Sequence, residues 1–449
     1  MSMTRKKSQA MRHFPLLFIL ALFCTCTAQL LFSVHKLKNP VPCVLSAERE
    51  NEFTAAASHY TPEMVCELNW NIRDFGIQKP HINAASALLI DSQTGGILYE
   101  KKADTLIPPA SMTKLAVMYI AFQETAGGNI SLEDIVPLGR GAWAKNAPPG
   151  SSLMFLDEGQ HVSLRELLLG LAVVSGNDAA VAVADYIAGS QAVFVERMNA
   201  EMKKLGLRHT RFVDSSGYSE NNLTTAREFA AFVRAYLRLY PNALHDFHSV
   251  RRFSYPAAHN VPHKHRGEYQ TVTQENTNPV LGMIEGVTGL KTGFIPESGY
   301  NLALTAESER INVIAITLGG PGKGTAEGNA YRLKDAQTLT SYAFDNFQTV
   351  KPERAAHALA VAGGSEYALF AREARAPLIT LPRKTVKLER TYTLPDYLFA
   401  PVQAGDTIGT AVYRADGVQV CEIPLIADRS IQKAHFIKRA VDKAASLFL

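Results

Sequence analysis

Pro109-Ala110-Ser111-Met112-Thr113-Lys114-Leu115 is the stretch on which the reading of this 449-residue chain turns. Pro108 and Pro109 forbid an earlier helix, because proline is tolerated only at or before a first turn. Behind them Leu115, Met118, Tyr119 and Phe122 recur at helical spacing, so a buried helix face starts here. Residues three apart lie on one face of a helix, which brings the Lys114 amine to the Ser111 hydroxyl. A serine with a basic neighbour in its own turn is a candidate nucleophile. The motif alone is weak: a chain of this length holds about two Ser-x-x-Lys pairs by chance at ordinary residue usage. A solvated lysine at an exposed helix start is the competing explanation, so the weight falls on what lies downstream.

Two further motifs supply that weight. Ser175-Gly176-Asn177 falls between two helical patterns, where side chains project from a turn. Lys291-Thr292-Gly293 precedes an apolar strand and follows Gly286 and Gly289; glycine permits the close backbone approach that the wall of a groove requires. In the order Ser-x-x-Lys, Ser-x-Asn, Lys-Thr-Gly the three form the signature set of penicillin-recognising serine enzymes. The residue types suit acyl transfer. Ser111 attacks a peptide carbonyl. Lys114, neutral, takes the proton, its amine pushed toward neutrality by burial and by the charge of Lys291. Ser175 relays that proton to the leaving amine, and Asn177 holds the scissile bond in line. Lys291, Thr292, Gly293 and Phe294 form the substrate-binding stretch: Lys291 and Thr292 take the negatively charged terminus. The backbone N–H groups of Ser111 and Phe294 make the oxyanion hole.

Composition bounds the rest. The length is about three domains' worth of chain. Hydrophobic residues make up 47% of it, enough to build a core without disulfide staples. A net charge of +4 is too small to argue for nucleic acid. Arg5, Lys6, Lys7 and Arg12 precede an apolar core over residues 14–23, followed by the small residues Cys24 to Ala28. That is the order of a secretory signal peptide with cleavage after Ala28. An uncleaved anchor is the alternative, since Leu30, Leu31 and Phe32 carry the apolar stretch toward the roughly 20 residues that span a bilayer. Either way the working domain lies outside the cytoplasm. Of the five cysteines, Cys24 and Cys26 would leave with the signal; Cys43 and Cys66 form a bridge or stay as free thiols, beside Cys421.

The pattern divides the chain into a signal (1–28), an N-terminal extension (29–80), a catalytic domain (81–350), a β-rich domain (351–428) and a tail (429–449). One short helix is predicted near Thr61–Leu68 in the extension. Ala87–Ile90 and Ile97–Tyr99 flank turn residues as a hairpin. Ser163-Leu164-Arg165-Glu166 and Thr225-Ala226-Arg227-Glu228 are capping boxes opening helices. Gln191–Leu205 is amphipathic, Asn301–Leu304 and Ile311–Leu318 read as strands, and a long helical pattern over Ala326–Phe347 closes the catalytic domain. Beyond Val350 come short strands, including Leu378–Leu381. In the tail Ile431, Phe436, Ile437, Ala440, Val441, Ala444, Leu447 and Phe448 share a helical stripe flanked by lysines and Arg439, a pattern that fits a membrane surface or packing on its own domain.

From about Ala84 onward the chain resembles the D-alanyl-D-alanine carboxypeptidases among the low-molecular-mass penicillin-binding proteins. Beyond the three motifs, Leu89-Ile90-Asp91, Pro149-Gly150-Ser151-Ser152, Gly176-Asn177-Asp178-Ala179, Asn276-Thr277-Asn278 and Gly299-Tyr300-Asn301-Leu302 stand where that family has similar residues. The resemblance implies an α+β fold: a β-lactamase/transpeptidase-like domain, with an antiparallel sheet flanked by helices, then a small all-β domain and often a membrane-attached tail. It implies removal of the terminal D-alanine from peptidoglycan stem pentapeptides without cofactor or metal, and acylation of Ser111 by penicillins. Two positions depart. Phe294 stands where the family usually has His or Tyr. Pro321 follows Gly319-Gly320 where many members have a carboxylate-binding Arg, with Lys323 nearby.

Three other readings compete. A β-lactamase would need a carboxylate to activate its deacylating water, and Glu220-Asn221-Asn222-Leu223 superficially resembles one such loop. A non-catalytic protein that binds cell-wall peptide is the second. A zinc peptidase is the third, with His263-Lys264-His265 as its close histidine pair but no His-Glu-x-x-His.

Overall fold

The computed structural model describes residues 24–42, 46–58, 75–262, 269–385 and 387–448. They fall into two compact units. One joins residues up to 63 with 351–379 and 385–449; the other holds 64–350 and 380–384.

In the second unit five strands form one antiparallel sheet. Their order is Ile97–Lys101, Ser86–Asp91, Asn312–Gly320, Gly299–Glu307, Val287–Ile295. Side chains of a strand alternate between faces, and here both faces are covered. Leu88, Ile90, Ile314 and Ile316 pack into a core with Leu115, Met118, Leu168 and Phe232. Leu89, Val313 and Leu304 pack the other way, against Leu339, Tyr342 and Ala343. The sheet is thus the middle layer. Helices Lys114–Ala126 and Ala226–Leu239 lie on one side and Thr325–Asn346 on the other. Each fully buried Leu, Ile or Phe contributes roughly 1.5–3 kcal/mol, so the double core readily fixes the edge strand Val287–Ile295 against the start of helix Lys114–Ala126.

Local signals place the elements. At Ser163 both halves of the capping box form, with Glu166 N donating to Ser163 Oγ (3.2 Å) and Ser163 N to Glu166 Oε2 (2.9 Å). At Thr225 only half forms. Its Oγ1 accepts from Glu228 N (3.1 Å), while the Glu228 carboxylate takes Thr210 and the N–H groups of Arg208 and His209 instead. A tertiary partner outbid the local one.

The first unit carries a six-stranded sheet. Its order is Leu388–Thr393, Thr407–Ala415, Val418–Ala427, Ala368–Glu373, Ala356–Ala362, Tyr397–Phe399, with only the last pair parallel. The extension expected over 29–80 contains two helical stretches, while its described residues 75–80 are irregular and group with the catalytic unit. Residues 24–38 and Ala47–Ser58 are helices, and both belong to this unit. Phe53 is buried with Ala57, Ala374 and Ile426, under Arg372, whose guanidinium lies 4.0 Å from its ring and pairs with Glu50. Sequence periodicity misses these helices because their contact stripes are narrow.

Two other expectations are corrected. The strand expected at Leu378–Leu381 in the β-rich domain is Ile379–Pro382, and it pairs with Phe347–Val350; residues 380–384 group with the catalytic unit. The buried Asp91 carboxylate draws it there, accepting from Thr349 Oγ1 (2.6 Å) and Thr380 Oγ1 (2.7 Å). The tail is not a separate piece. Ile431 is fully buried and bridges to Val402, and the helix begins only at Phe436. The helix expected near Thr61–Leu68, Cys43, Cys66 and the His263-Lys264-His265 stretch lie outside the described residues. Cys421 is a buried free thiol.

Candidate active site

Ser111 sits in the short 3-10 turn Ala110–Thr113 that leads into helix Lys114–Ala126. Ala110, fully buried, has φ of 51°, a left-handed conformation that costs a non-glycine residue on the order of 1–3 kcal/mol and survives where neighbours over-determine it. Two glycines are those neighbours. A Cβ on Gly217 would lie 1.9 Å from the Ala110 carbonyl oxygen, and one on Gly293 would lie 2.3 Å from that of Pro109. The loop at 214–219 and the strand Val287–Ile295 therefore close directly onto the nucleophile turn. Lys291-Thr292-Gly293 is inside this strand rather than ahead of it.

Lys114 is fully buried. Its Nζ lies 3.0 Å from Ser111 Oγ, 2.7 Å from Asn177 Oδ1 and 2.5 Å from the Ser216 carbonyl oxygen. Burial pushes its pKa down to about 7, while the carboxylates of Asp214 and Asp178 push the other way. Burial, not the charge of Lys291, is thus the main cause. The mutual repulsion shows at Lys291, whose amine is held well below its ordinary value by burial, then by Lys114 and Arg332. His248, buried behind the strand with Nε2 2.8 Å from Tyr236 Oη, is kept neutral down to about pH 3 by burial and by Lys291.

The Ser-x-Asn motif joins them. Residues 170–174 form a wide turn that ends in Ser175 at φ 59°, and helix Asn177–Ala188 follows. Asn177 gives its Oδ1 to Lys114 and its Nδ2 to Ser151 Oγ (3.0 Å). The Ser175 hydroxyl is buried without a hydrogen-bond partner among the described residues, the kind of unsatisfied group that marks a working site. Asp178 accepts from the backbone N–H groups of Met154, Phe155 and Leu156 and so fixes the loop that carries Ser151; burial raises its pKa against those bonds. On the strand, Thr292 Oγ1 reaches Thr277 Oγ1 at 3.3 Å. Phe294 is 46% exposed and stacks on Tyr300 at 4.4 Å.

Motif reading missed three groups. Asp214 accepts from the N–H groups of Ser216 (2.8 Å), Gly217 (2.6 Å) and Ser219 (2.8 Å), and this turn aims the Ser216 carbonyl at Lys114. The Asp-Ser-Ser-Gly composition marks the turn, but nothing in it names the target. Arg332, on helix Thr325–Asn346, donates to the carbonyls of Gly293 and Asn301 and lies 4.9 Å from the Tyr300 ring. Burial lowers it to about 10. A cavity of about 750 Å³ opens beside Lys114's partners, lined in part by Asn177, Asp214, Ser216 and Tyr218. Glu220 is exposed in a turn, whereas Asn222 is buried and accepts from Val213 N (2.6 Å).

Residues 73–322 match the family model described as D-alanyl-D-alanine carboxypeptidase, more than half of the chain. The chain belongs to the D-alanyl-D-alanine carboxypeptidase family. Residues 361–433 match the model of the penicillin-binding protein 5 C-terminal domain. The chain is similar to D-alanyl-D-alanine carboxypeptidase DacC of Escherichia coli (strain K12), at 32% identity over 375 residues, 82% of this chain and 88% of that one. It resembles the crystal structure of penicillin-binding protein 5 from Haemophilus influenzae at a TM-score of 0.70 and 29% identity, covering 80% of this chain and 100% of that one. The ampicillin-bound penicillin-binding protein D2 from Listeria monocytogenes matches at a TM-score of 0.50 and 27% identity, over 60% of this chain and 100% of that one. Against this D-alanyl-D-alanine carboxypeptidase background the departures acquire positions. Phe294 presents an apolar ring, and Pro321 and Lys323 are exposed, with Lys323 N bonded to Glu327 Oε2 at 2.8 Å.

Proposed function

We propose that this protein is a serine-type D-Ala-D-Ala carboxypeptidase that removes the terminal D-alanine of peptidoglycan stem pentapeptides and is acylated by penicillins. The observation that carries the reading is the fully buried Lys114 amine, near neutral, 3.0 Å from Ser111 Oγ. Ser111 Oγ bonds to the carbonyl carbon of the penultimate D-alanine as its proton passes to Lys114. The C–N bond breaks, and the amine of the terminal D-alanine leaves with a proton relayed through the free Ser175 hydroxyl. Water then cleaves the ester, releasing the shortened peptide and restoring Ser111. Asn177 orients the peptide, Lys291 and Thr292 hold its carboxylate, and the N–H groups of Ser111 and Phe294 receive the oxyanion. The closeness of Gly293 to Pro109 supports that last pairing.

The test is D-alanine release from an acyl-D-Ala-D-Ala peptide by the parent chain beside Ser111→Ala. Release by the parent alone is expected, with a long-lived penicillin adduct on Ser111. No release by the parent sinks the reading, and a short-lived adduct would favour a β-lactamase.

The same reading places the enzyme outside the cytoplasm, on the basic and apolar order of the first 28 residues, and on a membrane surface. Among the described residues no single helix is long and apolar enough to cross a membrane. Helix Phe436–Ala445 supports a surface attachment because it docks through Asp442, Lys438 and the small Ala445 and leaves its large apolar side chains outside. Asp442, fully buried, accepts from Gly363 N (2.9 Å) and Lys438 Nζ (2.7 Å), and Lys438 also donates to the Gly364 carbonyl (2.7 Å). Phe436, Ile437, Leu447 and Phe448 are left exposed. A helix packed for water has the reverse arrangement, and a bilayer interface accepts this one.

A further inference from the structure

The helix at residues 24–38 is fastened to the same unit as the C-terminal helix. Leu30, Val34 and Leu37, spaced four and three apart, pack with Ala360, Ala362, Tyr367 and Ala445. Ser33 is 2% exposed, its hydroxyl 3.3 Å from Tyr367 Oη, and Phe32 meets the Tyr367 ring edge-on at 6.0 Å. Ala445 belongs to the C-terminal helix, so the two helices share one small core. A cavity of about 610 Å³ lies between them, walled by Phe32, Ser33, Tyr367, His435, Ile437 and Lys438.

The outward side of this pair is apolar and ringed by cations. Leu31 and Phe32 are 70% and 53% exposed, and Phe436 and Ile437 are exposed as well. Lys36 and Lys38 flank one helix; the exposed Arg439 and Lys443 flank the other, while Lys438 is turned inward onto Asp442. Exposed apolar surface of this kind calls for a cover, and basic residues around it favour an anionic one. Cleavage after Ala28 would cut the helix two residues before Leu30. Residues 14–34 contain no charged side chain, so the stretch that leads into this helix suits an apolar surface.

We infer that the N-terminal helix is retained in the working protein and forms, with the C-terminal helix, one surface that docks on an anionic phospholipid bilayer. This rests on the membrane reading of the C-terminal helix and adds a second, N-terminal contact to it.

The experiment takes the full chain after export. Its intact mass is measured, and its hydrogen exchange is followed with and without vesicles of phosphatidylglycerol and phosphatidylethanolamine. Expected are a chain that begins before residue 29, and vesicle-induced slowing of about tenfold or more in both helices. A chain beginning at or after Gln29, or slowing confined to residues 436–448, overturns the inference and leaves the C-terminal reading standing. Slowing confined to the N-terminal helix overturns the shared surface, and slowing in neither overturns both readings. A chain ended after His435 should still float with the vesicles; its failure to do so, when the full chain floats, assigns attachment to the C-terminal helix alone and overturns the inference.

Discussion

At the scale of single residues, Lys114 decides the chemistry. A neutral amine has two N–H groups and one lone pair. Asn177 Oδ1 and the Ser216 carbonyl cannot donate, so they take the two N–H groups and turn the lone pair toward Ser111 Oγ. Protonation ends that arrangement. Acylation by penicillin should therefore rise with pH along an acid limb centred near 7, the value to which burial brings Lys114. A rate independent of pH between 5 and 9 would contradict this. Asp214 makes the limb adjustable. Its carboxylate raises the Lys114 pKa, as Asp178 does, while burial lowers it, and Lys291 is the nearby cation. Asp214→Asn should move the limb to lower pH, and it should slow acylation about 10- to 100-fold as the Ser216 carbonyl loosens its hold on the base. An unmoved limb with a slower rate would leave Asp214 a purely structural role. Stability follows the same proton. The unfolded lysine keeps its proton up to 10.5 and the folded one loses it near 7. Between those values the unfolded chain holds more protons, so the stability of the catalytic unit should climb with pH across that window. Lys114→Met should reduce the climb in a denaturant series, leaving the part that the likewise depressed Lys291 contributes.

At the scale of elements, the site is an approach of three backbones: the turn at Ala110–Thr113, the loop at 214–219 and the strand Val287–Ile295. Glycine is required where they meet. Gly293→Ala would set a methyl 2.3 Å from the Pro109 carbonyl oxygen, with Ala110 and Met112 side chains at 3.3 Å. The strand must withdraw, since these neighbours are backbone or buried side chain. A loss of about 1–3 kcal/mol of stability is expected, as for overpacked cores, together with loss of the penicillin adduct. Unchanged acylation in this variant would show that the strand does not need its closeness to the serine. The strand is also pinned from behind by Arg332 on the Gly293 and Asn301 carbonyls, and by Asn301, whose Nδ2 donates to the Pro108 carbonyl at 2.9 Å.

At the scale of the whole molecule, the chain builds two units from an interleaved order. The N-terminal helices join the strands beyond 351, and residues 380–384 return to the catalytic unit. Phe53 tests this division. It is 1% exposed and capped by Arg372. Phe53→Ala should cost the C-terminal unit about 3–5 kcal/mol, seen as earlier loss of its hydrogen-exchange protection. Acylation of Ser111 should be unchanged. A matching loss of acylation would mean that the catalytic unit depends on this packing.

The sequence by itself determined the nucleophile turn, the order of the three motifs, the hairpin at Ala87–Tyr99 and the capping box at Ser163, while the α+β class followed from the family resemblance that the motifs carry. These rest on local periodicity, turn chemistry and short motifs, all written within a few residues of where they act. Only the tertiary structure decided that Asp214 and Ser216 hold the base, that Asn177 spends its donor on Ser151, that Arg332 braces the strand, and that residues 24–38 fold onto the C-terminal unit. Each of these joins side chains or backbones far apart in the chain. Their energies come from burial and from hydrogen bonds that exist only once the two partners meet, so no local pattern encodes them.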